Sequence, residues 1–324
     1  MAQNLKLEIF KIAIKKRNSR SKDFLNFKDL FESIGDKKEE AYLQFISDYR
    51  NLFNGKFKSD GKGMKSISTT RQNNFTPRSI QNIIDGEVFG GNIGSLQTIY
   101  NQDNAVEEIG RVELDQIASL PFFIKLWTPL DHNSGILMIQ SYSDYTVSDL
   151  IKTTLRKFIT DYGFTLIFSP FTPQEIKEEY LKKSHVYEMK IINDNISRGK
   201  RKLINPIFAD EENLKITVTV SGFKHDVEDF WNKIKGGGAK KLIGANLEDL
   251  DISEQNGYEL KAYYKDENGY LANVGMRNTL DITPTIFLPD EIKSDETHHF
   301  DYEKIKKFTD GILSKIKQEI GYTN

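Results

Sequence analysis

Apolar and polar residues alternate over Leu5–Ile14 (LKLEIFKIAI), the period of a half-buried strand. From Asp23 to Ile34 the spacing changes. Phe24, Leu25, Phe27, Leu30 and Phe31 fall at helical intervals, and Gly35 supplies a stop. Residues 37–53 fit either a helix with Tyr42, Phe45, Ile46 and Tyr49 on one face or a strand pair. Asn54–Arg78 is rich in glycine, lysine and polar residues and reads as a mobile loop. Further on, FFIKLW (122–127) and ILMI (136–139) are strand-like runs separated by the turn residues PLDHNSG, a hairpin pattern. A helix over Thr146–Tyr162 follows, with Leu150, Thr154, Leu155 and Phe158 on its apolar face and Gly163 at its end. The strand FTLIF (164–168), a helix over Pro173–Lys183 and the alternating VYEMKII (186–192) complete a β-β-α-β-α-β middle section.

The remainder predicts a strand at Lys215–Val220, a helix at His225–Lys235, and a hairpin of Tyr258–Lys265 with Tyr270–Arg277. Asn268-Gly269 lies at the tip of that hairpin, where both residues tolerate positive φ. Asp301–Gly321, with Ile305, Phe308, Ile312 and Ile316 between polar residues, predicts a closing amphipathic helix. These elements predict an α+β fold of mixed or antiparallel sheets with flanking helices, in two lobes. The basic stretch SRGKRK (197–202) reads as a loop at the lobe boundary, giving an N-terminal lobe over 1–196 and a C-terminal lobe over 197–324.

Composition narrows the function classes. The chain has no cysteine, which excludes disulfides, thiolate metal sites and a cysteine nucleophile. No run of eighteen or more apolar residues is present. The N-terminal segment has no continuous apolar core of a secretory signal, so a cytoplasmic location is expected.

The net charge of −2 hides segregation. Residues 51–78 hold Lys56, Lys58, Lys62, Lys65, Arg71 and Arg78 against Asp60 alone. Residues 79–119 hold Asp85, Glu87, Asp103, Glu107, Glu108, Glu113 and Asp115 against Arg111 alone. Such blocks either form faces of opposite sign or neutralise each other across a contact.

Cations gather in further runs: Lys15, Lys16 and Arg17; Arg198, Lys200, Arg201 and Lys202; and Lys233, Lys235, Lys240 and Lys241 flanking Gly236-Gly237-Gly238. Glycines let backbone N–H groups converge, and flanking ammonium groups attract phosphate. No GxxxxGK[ST] is present, so a polymer backbone fits better than a bound nucleotide. A flexible connector with solvated lysines is the plainer account of the same segment. Without a helix-turn-helix, zinc-finger or RNP signature, the expected mode is sequence-tolerant phosphate binding.

Enzyme signatures are sparse. The five histidines form no HExxH, and no GxSxG occurs. Gly90-Gly91-Asn92-Ile93-Gly94 resembles a fragment of a dinucleotide loop but reads as a turn. One alternative stays open. Asp249 or Asp251, followed by Glu259 and Lys261 on a strand, has the order used by metal-dependent nucleases, whose carboxylates hold a divalent ion. The same E-x-K also arises on any charged, alternating strand.

Four segments carry a resemblance: FKIAIKKRNSRSKDFLNFKDLF, KITVTVSGF with GGGAKKLIGANLEDLDI, ELKAYYKDENGYLANVGMRNTL, and FTDGILSKIKQEIG. In this order they resemble the RexA-like phage exclusion family. The resemblance implies a homodimeric, sequence-nonspecific binder of double-stranded DNA. Its implied role is abortive defence against phage, with a membrane-channel partner encoded nearby and with no cofactor or catalytic residue.

Overall fold

The computed structural model describes residues 4–19, 23–35, 37–53, 57–61, 63–69, 75–194, 196–227, 229–230, 259–266, 271–276 and 285–322. The chain forms two compact units. One comprises residues 1–171 and 286–324, the other 172–285. The expected division at 196/197 therefore differs from the observed one. The C-terminal segment returns to the first unit because Ile286–Phe287 pairs with the N-terminal strand, Leu7 opposite Ile286.

The fold is α+β, and its strand pairs are antiparallel. In the first unit the central strands are β1 (Leu5–Lys16), β5 (Ile83–Asn92), β8 (Ala118–Trp127), β9 (Gly135–Tyr142) and β10 (Phe164–Pro170). Shorter strands β2 (Lys58–Ser59), β3 (Lys65–Ser68), β4 (Thr76–Arg78) and β15 (Ile286–Phe287) extend the sheet. Its order is β10-β1-β9-β8-β5-β3-β2, with β15 on β1 and β4 on β5. The segment 54–78 thus supplies sheet strands where a loop was expected. Ile67 and Ser66 are fully buried there, so packing overrides a polar composition.

Helices α1 (Phe27–Glu32), α2 (Lys38–Leu52) and α3 (Ser148–Asp161) bury aromatic faces together. The ambiguity at 37–53 resolves as a helix, and Tyr42, Phe45, Ile46 and Tyr49 are its buried face. Phe45 meets Phe31 and Phe158 with ring centres 5.1 and 5.2 Å apart. Phe24, expected on a helix, lies before α1 and is exposed, because Leu25 instead bridges to Ile14 of β1.

Gly90 and Gly91, read as a turn, lie inside β5. A Cβ on Gly91 would sit 2.3 Å from the Ala118 carbonyl oxygen, so these glycines serve close strand approach rather than chain reversal.

β6 (Gln97–Asn101) and β7 (Asn104–Val112) form a separate two-stranded ribbon within the first unit's sequence. The closing helix α6 (Tyr302–Glu319) buries Ile305, Ile312 and Ile316, as its periodicity predicts, together with Leu313, while Phe308, expected on the same face, is half-buried. Asp301 caps it by accepting from the Lys304 N–H.

The second unit holds α4 (Gln174–Lys183), β11 (Ser184–Asn193), α5 (Arg198–Ile204), β12 (Ile216–Asp226), β13 (Glu259–Asp266) and β14 (Leu271–Met276). Its sheet runs β12-β11-β13-β14. The two strands of the expected late hairpin pair, with Lys265 opposite Leu271, and the Asn268-Gly269 turn lies outside the described residues. Met189, Ile191 and Ala262 are buried in this sheet, and the Tyr180 ring of α4 meets Tyr264. SRGKRK, expected as a loop, is the start of α5. Ser197 caps that helix by accepting from the Lys200 N–H, a capping role that its position before a basic run disguised.

Candidate nucleic-acid interface

Lys15 and Lys16 end β1 opposite Thr165 and Phe164 of the edge strand β10. Arg17 enters the turn that follows, its N–H donating to the Gly163 carbonyl at 2.9 Å. Lys16 and Arg17 are exposed and Lys15 is half-buried. The Lys15 ammonium lies 4.7 Å from the centre of the Phe24 ring, a cation–π contact that leaves the positive charge in place. Among the described residues, none of the three is ion-paired. β1 ends on a turn in which Asn18 takes a φ of 60°, and Lys15 and Lys16, as neighbours on the strand, lie on opposite faces of its end.

The second run lies on α5. Lys202 and Arg198 are exposed, and Lys200 and Arg201 are half-buried. Arg198 pairs with Asp210 at 2.8 Å, both side chains largely solvated, and Arg201 donates to the Glu211 carbonyl at 2.6 Å. An exposed pair of this kind contributes about 0–1 kcal/mol and can exchange its carboxylate for a phosphate. The two runs belong to different units. Lys233, Lys235, Lys240 and Lys241, with the three glycines between them, lie outside the described residues, as do Asp249 and Asp251.

Sequence reasoning missed a lysine pair on the second sheet. Lys190 of β11 stands opposite Lys261 of β13 and Thr219 of β12. Two like charges directly opposite on a sheet disfavour each other. Here the Lys190 ammonium is 3.0 Å from Glu188 and 4.6 Å from the centre of the Tyr263 ring. Thr217, Thr219 and Ser221 alternate along β12 as exposed hydroxyl residues. The signal was present as alternation in VYEMKII and KITVTV, but register decides which residues meet, and register is not local. One end of this sheet is also positive. Burial first, then Lys224 and Lys265, holds the His185 imidazole below its ordinary pKa. The positions of Glu259 and Lys261 share a strand face, as alternation requires. Among the described residues, no group of His, Asp and Glu side chains is placed to hold a metal ion.

Of the basic block 51–78, Lys58, Lys65 and Arg78 are among the described residues, and each is engaged differently; Lys56, Lys62 and Arg71 lie outside them. Lys65 donates to the Thr146 carbonyl at 2.8 Å. Burial, and then the Lys157 charge, holds Lys58 below its ordinary pKa. Arg78 turns inward to a charge network. Its Nη2 lies 2.6 Å from Asp85 and 2.7 Å from Asp310 of α6, and Lys125 Nζ lies 2.5 Å from Asp85 and 2.6 Å from Asp310. Asp85 and Lys125 are cross-strand neighbours on β5 and β8, and Thr76 of β4 faces Asp85, which brings Arg78 alongside. The two sequence blocks thus neutralise each other at Arg78 and Asp85. Burial raises the Asp310 pKa, but hydrogen bonds from Arg78 and Lys125 outweigh it and hold the carboxyl below its ordinary value. Burial, followed by the Arg78 charge, lowers Lys317 of the same helix, whose ammonium lies 4.9 Å from the centre of the Trp127 ring. These cations are engaged in holding α6 and are not offered to a polyanion.

Of the acidic block, Glu87 also lies on β5, and the other five acids are elsewhere. Asp103, Glu107, Glu108, Glu113 and Asp115 stand exposed on or beside the β6–β7 ribbon, with Glu108 paired to Arg111 at 3.1 Å. Among the described residues, no helix is long and apolar enough to cross a membrane. Compared with protein-family models and with curated proteins, the chain matches none.

Proposed function

We propose that this chain binds double-stranded DNA without sequence preference and acts as a cytoplasmic sensor in anti-phage defence. In this reading it works as a homodimer, is not an enzyme, needs no cofactor, and signals to a membrane-channel partner encoded nearby. The defence role and the partners rest on the resemblance to RexA-like exclusion proteins. The DNA-binding role has independent physical support.

One observation carries it: Lys15, Lys16 and Arg17 are consecutive cations at a fixed end of the first sheet, none ion-paired among the described residues. Other lysines of that unit, such as Lys152, Lys293 and Lys306, each have a carboxylate within one helical turn. Cations without a carboxylate break no ion pair when they turn toward phosphate, and each phosphate contact releases condensed counterions. The α5 cations add a second basic group, of which Arg198 must exchange its solvated pair with Asp210. Base-edge readout needs a helix or ribbon carrying bidentate donors into a groove, and nothing in these basic runs requires that geometry.

The test is an electrophoretic shift on two duplexes of unrelated sequence. The reading predicts a shift with both at low salt and loss of both as salt rises. No shift of either duplex at low salt contradicts it.

A further inference from the structure

The β5–β8 hairpin continues past the end of the first sheet as the β6–β7 ribbon. β5 and β8 pair as far as Asn92 opposite Ala118, the Gly94 N–H donates to the Leu114 carbonyl at 3.1 Å, and Gln97 then stands opposite Val112. Every residue of β6 is exposed, and successive residues of a strand point to opposite faces, so both faces of β6 meet water. Among the described residues β6 and β7 pair only with each other, so each keeps an outer edge with no neighbouring strand.

Apolar side chains stand along this arm. Val106 is 94% exposed and Leu114 60%, and Leu96, Ile99, Tyr100 and Ile109 are each about half exposed. An edge strand with exposed apolar side chains is a template for a further strand, and native proteins blunt such edges with charge, lysine above all. Here the charge has the other sign. Residues 97–115 carry Asp103, Glu107, Glu108, Glu113 and Asp115 against Arg111 alone, and all six side chains are exposed.

That sign decides between occupants. The ribbon of a second copy would set these carboxylates against their like. Nucleic acid and anionic lipid are repelled for the same reason. A segment that alternates apolar and basic residues matches the arm in both apolarity and charge.

We propose that the β6–β7 ribbon is a docking arm for an extended segment of a partner protein, in which basic and apolar residues alternate, and that this segment adds to the ribbon as a third strand. Main-chain hydrogen bonds along the open edge hold it, as in other strand additions. Val106, Ile109 and Leu114 receive its apolar side chains, and Asp103, Glu107 and Glu113 meet its cations. The contact lies wholly on the first unit and does not depend on DNA binding.

Fluorescence anisotropy of a labelled nonapeptide of alternating lysine and valine, titrated with the full chain, tests the arm. Two further peptides carry glutamate in place of lysine, or lysine throughout. The wild type should bind the lysine–valine peptide, and the other two about tenfold or more weakly. The same loss is expected for the lysine–valine peptide with Asp103→Lys, Glu107→Lys and Glu113→Lys combined, and with Val106→Ser and Leu114→Ser combined. A variant with Glu291→Lys, Asp295→Lys and Glu296→Lys makes the same change in net charge outside the ribbon and should bind as the wild type does. All eight positions are exposed, so folding is spared.

A wild type that does not bind the lysine–valine peptide overturns the proposal. So does equal binding of the all-lysine peptide, or an equal loss in the variant outside the ribbon, because either reduces the attraction to charge alone. Ribbon variants that bind undiminished overturn it as well. Proline in place of two of the valines removes N–H groups that a strand must offer, and should weaken binding about tenfold or more. Unchanged binding of that peptide overturns the strand addition. None of these outcomes bears on whether the protein shifts DNA.

Discussion

Lys125 and Asp85 face each other across β8 and β5 with Nζ 2.5 Å from Oδ1, and neither side chain reaches solvent. Taking a lysine and an aspartate completely out of water is costly, and their close contact is what offsets that cost. Arg78 and Asp310 complete the network, and Asp310 is its member from the closing helix. The network therefore ties the C-terminal helix to β4, β5 and β8.

Removing Lys125 takes away one of the two cations beside the buried Asp85 and leaves Arg78, 2.6 Å away, as the other. Lys125→Met should destabilise the first unit by less than the roughly 3–5 kcal/mol of a fully uncompensated buried charge. Combining it with Asp85→Leu, which removes both charges, should recover part of that loss. Urea denaturation followed by tryptophan fluorescence reads the difference, since Trp127 is fully buried on the same strand as Lys125.

Asp310 gives the fold an acid limb. Its folded pKa lies below 3.8, the ordinary value, so the unfolded chain binds its proton first as pH falls. The stabilisation is complete above about pH 4 and is lost as pH drops through the folded pKa. Asp310→Asn should therefore be less stable than wild type at pH 7, and the gap should narrow below about pH 4. Thermal melts across that range check the convergence.

Gly86 is fixed by an aromatic ring. A Cβ there would lie 1.9 Å from Phe75 Cδ1, and Phe75 packs against Tyr49 and Phe53. Gly86→Ala should cost about 1–3 kcal/mol or more through overpacking. Adding Phe75→Leu should relieve part of the clash while opening a smaller defect. Chemical denaturation of both variants tests this, and a larger loss in the double variant than in Gly86→Ala would contradict it.

The nuclease alternative makes an opposite prediction to the binding reading. Duplex DNA incubated with magnesium or manganese and an excess of protein should remain full length. Accumulating fragments that disappear in Lys261→Ala would instead assign chemistry to β13.

Much of the fold was legible because its signals are local. The hairpin around PLDHNSG, the helix closed by Gly163, the paired strands β13 and β14 and the amphipathic closing helix each follow from periodicity and turn chemistry. What could not be read depends on partners distant in sequence. Gly90 and Gly91 look like a turn until Ala118 and Ser66 are placed beside them. Ile286–Phe287 is too short to read as a strand, yet it returns the chain to β1 and moves the unit boundary.

The candidate site divides in the same way. Lys15, Lys16 and Arg17 were visible as a run of cations. The inward turn of Arg78 was not, because it requires Asp85 and Lys125 on neighbouring strands and Asp310 at a sequence separation of 232. Nor was the pairing of Lys190 with Lys261, which register alone creates.

Fluorescence anisotropy of two unrelated duplexes, read across a salt series, decides whether Lys15, Lys16 and Arg17 hold DNA. The wild type is compared with a triple variant, Lys15→Glu with Lys16→Glu and Arg17→Glu. Expected are equal wild-type affinity for both duplexes and, in the variant, weaker binding with a shallower log–log salt slope. The slope should fall by roughly 0.9 for each phosphate that the variant no longer neutralises. A wild type that distinguishes the two duplexes strongly, or a variant with unchanged affinity and slope, would contradict DNA binding through these cations.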